Sequence, residues 1–365
     1  MTGARRGKEH MQRRALVELL SRCLSAHSPS GREEEMIELL TIELGKRSLA
    51  HELDPAGNVA VSFPGTDRDS PVVLITGHTD EVAMTVKRVG DDGRLGLSPL
   101  GGVVPYKYGE GPVEILGDTR TCYGVLSFGS LHATDESGAE HADPLTGSAE
   151  TAKWKHWCVE TKLTREQLRD AGVYPGTRVV QARTRKVPVT IAEHYISGYA
   201  IDDKASVPVL IALAERLAQT PPVCTTVLGF TSREETGSFG AAWLAHSLRP
   251  QVLIAVETAP MMPEYGLDHD DLPVLCNQDR VGTADVRVVR RLREAARRRG
   301  VELQNLVSEV GANDAGLAAS AGHAARPATI AAPTYNMHGW ELCHIGALEQ
   351  IVEVLDDYLH SSEVA

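Results

Sequence analysis

The amino-acid sequence predicts an α/β fold: a doubly wound, mostly parallel sheet with a small β-barrel-like domain inserted into the chain. Three observations carry this. Almost wholly apolar runs, PVVLIT at 71–76 and VLIAV at 252–256, read as strands buried on both faces. Amphipathic helical stretches alternate with them, a rhythm that implies a parallel sheet covered on both sides. Between about residues 85 and 190 the rhythm breaks, glycine becomes frequent and the strand signals are short and alternating. The expected division is therefore 1–84 with 191–365 for the α/β body, and 85–190 for the insertion.

In chain order, QRRALVELLSRCL at 12–24 carries apolar residues at helical spacing. Ser30 and Glu33 have the spacing of a capping box that opens a second helix through MIELLTIEL. NVAVSF and PVVLIT follow as strands, and directly after them come His78 and Asp80. Within the insertion RLGLS, PVEILGD, CYGVLSF and TRVVQARTR read as short strands, and the polar stretch at 132–150 as a long mobile loop. The α/β rhythm resumes with a helix from about Asp203 that places Val207, Leu210, Ala214 and Leu217 on one face. Next come a strand at 224–230, a helix at 240–248 and the strand at 252–256. A helix at about 284–298, strands at about 303–307 and 328–332, and a closing helix at 345–360 complete the pattern.

A chain of 365 residues exceeds one typical domain, and its 42% apolar content supports a sizeable core. The formal charge of −12 argues against nucleic acid or an anionic membrane as partner, and it suits a site that gathers metal cations. No apolar run reaches membrane-spanning length, and the N-terminal MTGARRGKEHMQRR lacks the apolar core of a signal peptide. The six cysteines are scattered without C-x-x-C spacing, which fits reduced thiols in a cytoplasm.

In open α/β sheets ligands sit beyond the carboxyl ends of the strands. Four predicted strands lead there to potential metal ligands: His78 with Asp80, Glu234 with Glu235, Glu257, and His338. Asp202 and Asp203 stand where a helix begins. Each feature alone has an ordinary explanation. A single histidine after a strand is commonly structural, and paired aspartates before a helix serve as cap and dipole partner. Together, two imidazoles and several carboxylates at one sheet edge suit a pair of divalent ions such as zinc, cobalt or manganese. That pairing also accounts for adjacent glutamates. One can coordinate while the other acts as general base, and the cations offset the repulsion between them.

HTDEVAM, AIDDKASVPVL, TSREETGSFGA, AVETAP, GANDAG and MHGWELCH, in this order, resemble the self-compartmentalising dinuclear metallo-aminopeptidases that assemble as tetrahedral dodecamers. In the insertion, PVEILGD, GVLSF and WCVETKLTREQLRDAGVYPGTRVV resemble that family's small β-domain. The resemblance implies that His78, Asp202 and Glu257 hold one metal, with Asp80 orienting His78. It implies that Asp202, Glu235 and His338 hold the other, with Asp202 bridging and Glu234 as general base. It further implies two divalent ions per chain, cleavage of N-terminal residues from small peptides, and a homo-oligomer, dimer or dodecamer, joined partly through the insertion. Lys204, Ser206, Glu257 and the His338-Gly339-Trp340-Glu341 sequence depart from the family's usual residues. The second histidine, His344, is expected on the first turn of the last helix, and His132 and His194 as structural or loop residues. Related dinuclear deacylation, glycoside hydrolysis and a non-catalytic scaffold are the competing readings. Paired carboxylates serve glycosidases too, but that chemistry needs no histidines.

Overall fold

The computed structural model describes residues 3–67, 69–129 and 153–361. The stretch expected as a mobile loop at 132–150, with His132, lies outside the described residues. The body opens with helices α1 (Gly3–Ser25) and α2 (Glu34–Lys46), then strands β1 (Glu52–Leu53), β2 (Val59–Phe63) and β3 (Val73–His78). A six-stranded closed barrel follows, made of β4 (Ala83–Val89), β5 (Leu95–Leu100), β6 (Gly111–Leu116), β7 (Thr121–Ser127), β8 (Cys158–Glu160) and β9 (Arg178–Gln181). It also carries the short helices α3 (Pro105–Tyr108) and α4 (Arg165–Asp170).

The chain then returns through β10 (Val189–Ile191), β11 (Tyr195–Gly198), α5 (Ile201–Lys204), α6 (Ser206–Gln219), β12 (Thr226–Thr231), α7 (Phe239–Leu248) and β13 (Val252–Pro260). It ends with β14 (Val274–Gln278), α8 (Val286–Arg299), β15 (Gln304–Val307), α9 (Asp314–Ser320), β16 (Arg326–Tyr335), β17 (Glu341–His344) and α10 (Ile345–Leu359).

The main sheet runs β1-β2-β12-β3-β13-β16-β17-β11-β10, with β14 and β15 off β16. Its centre, β12-β3-β13-β16, is parallel, as the buried apolar runs predict, and antiparallel strands form both flanks. Alternate side chains of each central strand point to opposite faces. Val73, Ile75, Leu228, Ile254 and Val256 pack into the large core with α6, α8 and α10. Leu74, Val227, Leu253 and Ala255 meet Leu244 of α7 and Ala315 and Ala318 of α9 on the other face. The barrel has its own core, with Met84, Val86, Leu97, Val113, Ile115, Leu126, Val159 and Val179 inside and Leu168 of α4 plugging it.

One expected start signal fails. The helix at 34–46 has Glu33 as its N-cap residue without a side-chain cap. Ser30 Oγ instead donates to the Asp80 carboxylate at 2.5 Å, and the Glu33 carboxylate accepts from Gly31 and Arg233 amides. Tertiary partners outcompete the local cap. A capping box does form at α4, between Thr164 and Gln167. The six cysteines form no disulfide with one another. Among the described residues no helix is long and apolar enough to cross a membrane.

The barrel and the body meet at a buried ionic seam. Glu81 accepts from Lys186 Nζ at 2.7 Å and from Lys204 Nζ at 2.9 Å, and both ammonium groups also reach the Ala26 carbonyl at 2.8 Å. His27 Nε2 lies 3.0 Å from Glu114 of β6. Glu81 directly follows Asp80, so the seam lies beside the sheet edge that carries the predicted ligands.

Candidate metal centre

All the predicted ligand residues come together. His78 is the last residue of β3, and Gly77 before it is a position where a Cβ would meet Ser206 Oγ at 2.3 Å. Glycine there lets α6 approach the strand, which brings Asp202 beside His78. Asp202 lies in α5, a short turn whose Asp202 and Asp203 have non-helical dihedrals, so the carboxylate leaves the helix axis. Glu234 and Glu235 lie three and four residues beyond β12, Glu257 within β13 opposite Ala331, and His338 in the turn between β16 and β17. The strand at 252–256 therefore extends through Glu257 rather than ending before it.

Asp202 is the hub. Its Oδ1 is 3.3 Å from His78 Nε2 and its Oδ2 is 3.3 Å from His338 Nε2. Glu235 Oε1 lies 3.6 Å from the same His338 nitrogen. Among the described residues two groups could hold an ion, His78–Asp202–Glu257 and Asp202–Glu235–His338, and within each the ligand atoms lie within 4.8 Å of one another. Ligands bound at about 2.0–2.2 Å to a tetrahedral ion stand about 3.3–3.6 Å apart, so these separations fit two cations sharing Asp202. Among the described residues the buried Glu235 Oε1 has no hydrogen-bond partner, and a cation would satisfy it.

Hydrogen bonds fix the imidazoles. His78 Nδ1 is 3.2 Å from the Asp80 carbonyl, and His338 Nδ1 is 2.8 Å from the Gly102 carbonyl, contributed by the barrel. A carbonyl only accepts, so each Nδ1 carries a proton, and Nε2 is the nitrogen of each ring that faces Asp202 and is free to bind a cation once it gives up its own proton. Gly101, at φ +83°, allows this approach, since a Cβ there would meet Val82 Cγ1 at 2.9 Å and Glu235 Cβ at 3.2 Å. Asp80 was expected to orient His78. Its backbone carbonyl lies closer to that ring than its carboxylate does, at 3.2 against 3.5 Å. The carboxylate accepts the amides of Glu234 and Glu235, at 2.8 and 3.2 Å, and so shapes the turn that carries both.

The charges show the same demand. Burial pushes Glu257 and Glu234 well above the usual carboxylate range, and it carries Glu235 up to about 7 against the pull of His338. Burial alone would depress His338, but Glu235 and Asp202 outweigh it and carry the ring up to about 11. Acid groups outnumber bases in a buried space, and divalent cations relieve that imbalance.

His344 lies elsewhere, where it accepts the Gly346 amide at the N-terminus of α10. Sequence reasoning left three contributors undefined. Glu341 accepts the amides of Asp202 and His338, Asp314 accepts the Thr231 hydroxyl at 2.6 Å, and the Gly102 carbonyl holds His338. Asp314 and Glu341 both stand in motifs singled out above. A backbone carbonyl leaves no residue-type signal.

Comparison with known proteins points the same way. The family model for M42 glutamyl aminopeptidases matches residues 57–354. A putative aminopeptidase of Acetivibrio thermocellus is 24% identical over 316 residues, which is 84% of this chain and 86% of that protein. An aminopeptidase structure from Desulfurococcus kamchatkensis superposes with a TM-score of 0.82 at 22% identity, covering 97% of this chain and 96% of that one. The TET1 peptidase of Pyrococcus horikoshii, which can assemble into a tetrahedron or a large octahedral shell, gives 0.81 at 21% identity over 94% of this chain and 99% of that one. The chain belongs to the M42 glutamyl aminopeptidase family and is a peptide hydrolase of the exopeptidase type.

Proposed function

We propose that this aminopeptidase removes N-terminal residues from small peptides at a centre of two divalent cations, zinc, cobalt or manganese. His78, Asp202 and Glu257 hold one, and Asp202, Glu235 and His338 the other. The observation that carries this reading is the Asp202 carboxylate, with each oxygen 3.3 Å from a different imidazole Nε2. When bound, the ions supply Lewis acidity toward the scissile carbonyl and toward a water.

Glu234 is the general base. Its Oε1 accepts the Ser238 hydroxyl at 3.1 Å, which leaves Oε2, 3.8 Å from His78 Nε2, facing the centre. Oε2 takes the proton of the attacking water and delivers it to the leaving amine. Gly102 and Asp80 keep the imidazole protons on Nδ1, and the Asp80 carboxylate keeps the two glutamates pointing apart. The chain works as a homo-oligomer joined partly through its barrel, where Tyr123 and Val125 of β7 are exposed apolar side chains. A cytoplasmic location fits this reading.

Hydrolysis of aminoacyl-anilides before and after exhaustive chelation tests the function. Loss of turnover on chelation and recovery with added cobalt, zinc or manganese is the expected result. Full turnover in the chelated protein would refute the cation centre. Equal cleavage of N-blocked peptides would refute exopeptidase selectivity.

A further inference from the structure

Glu341 opens β17, the strand paired with both β16 and β11. Its side chain is buried, and its two oxygens are divided between two backbone amides. Oε1 accepts the N–H of His338 at 2.7 Å, and Oε2 accepts the N–H of Asp202 at 3.0 Å. Those residues lie 136 positions apart and reach the centre from opposite sides: Asp202 follows β11, and His338 follows β16. The main chain of Glu341 is held as well, since its carbonyl accepts the Ser197 hydroxyl at 2.7 Å. Asp80 makes the matching arrangement on the other side, with its carboxylate on the amides of Glu234 and Glu235. Two buried carboxylates thus hold four site residues by their backbones, two each.

We propose that Glu341 is a positioning residue for the Asp202–Glu235–His338 cation site. By fixing the amides of Asp202 and His338 it sets the distance between the bridging carboxylate and the imidazole that share a divalent cation. This rests on the reading of the centre as a two-cation site. His338 has φ +58°, a left-handed conformation uncommon for residues other than glycine, and the bond from its amide to Glu341 holds the turn there. Each oxygen of the buried carboxyl is spent on one of the two amides, so a shift of either backbone breaks a hydrogen bond that no water can replace. Replacing one carboxylate oxygen by an amide NH2 sets donor against donor and frees one of the two backbones.

The test is calorimetric titration of the metal-stripped protein with cobalt(II), comparing wild type with Glu341→Gln. Wild type is expected to take up two equivalents. In the variant the weaker equivalent should loosen by about 10–100-fold, the usual cost of removing a partner that orients a ligand, while the tighter one changes less. Glu341→Asp keeps the charge but is one methylene shorter, and it should fall between the two. A purely structural residue would lower the melting temperature of the stripped protein and leave cobalt affinity unchanged. Wild-type affinity for both equivalents in folded Glu341→Gln would therefore overturn the assignment. If Glu341→Gln does not fold, the same titration of Glu341→Asp decides by the same two outcomes. A wild type that takes up no cobalt would remove the cation reading and the role of Glu341 together. Two equivalents in wild type and an unchanged variant would remove only the latter.

Discussion

Glu234 and Glu235 are neighbours in sequence yet face different imidazoles, Glu234 Oε2 toward His78 and Glu235 Oε1 toward His338. Glu234→Gln keeps size and hydrogen bonding but cannot accept a proton. Turnover should fall by about 100-fold or more, with metal content nearly unchanged. An emptied site in Glu234→Gln, alongside two filled sites in Glu235→Gln, would reverse the two roles. The same cluster sets a pH dependence in the metal-free protein. Burial carries Glu235 and Glu341 up to about 7 and about 8 from an ordinary value of 4.5. Both then hold more protons folded than unfolded from about pH 5 upward, so stability falls as pH rises toward those values. His338, raised from 6.5 to about 11 because its carboxylates outweigh burial, adds to the fall above pH 6.5. Glu81, held down to about 2 by its two lysines despite burial, has completed its contribution below this window. The melting temperature of the chelated protein should drop between pH 5.5 and 7, and that of the metal-loaded protein should change less. A flat or rising profile after chelation would show that these groups do not carry the charge cost assigned to them. The five residues proposed as ligands, His78, Asp202, Glu235, Glu257 and His338, could be picked out because strand ends and residue chemistry coincide. The carboxylates of Asp80 and Glu341 were not legible in these roles, since backbone amides have no side-chain identity to read.

At the level of elements, long apolar runs and periodic helices declared themselves. The runs at 71–76 and 224–230 became β3 and β12 with shifts of one or two residues at their ends, and the run at 252–256 became β13, which continues to Pro260. Elements defined by their neighbours did not. β8 has three residues and β17 four, and β17 gains its place only by pairing with β16 and β11. The Ser30–Glu33 cap failed for a similar reason, because Asp80 lies 50 residues away and competes for the hydroxyl. The seam between β9 and α5 follows the same logic. Glu81 faces two buried ammonium groups, and removing its charge leaves both uncompensated. Glu81→Gln should destabilise the chain by about 3–5 kcal/mol, measured by denaturant unfolding of the metal-free protein. A loss below about 1 kcal/mol would mean that the seam is wetter or more adaptable than its burial implies.

Across the whole molecule, the barrel both borders the centre and completes it. The carbonyl of Gly102 comes from the segment after β5, yet it fixes the proton of His338, 236 residues further along the chain. The insertion was expected to contribute association and no obvious ligand, and this contact also lets it orient the His338 ring. Association remains its larger proposed role. Light scattering at micromolar concentration should show at least a dimer, since homo-oligomers close by symmetry with dimers as the common unit. A fully active monomer would remove the assembly proposal and leave the metal centre intact. The central claim is that one carboxylate, Asp202, serves two cations. The most direct measurement is the metal-to-chain ratio of cobalt-loaded protein after gel filtration, read by elemental analysis for wild type and His338→Ala. Two ions per wild-type chain and one in His338→Ala is the predicted result. One ion or none in wild type, or two in His338→Ala, would contradict it.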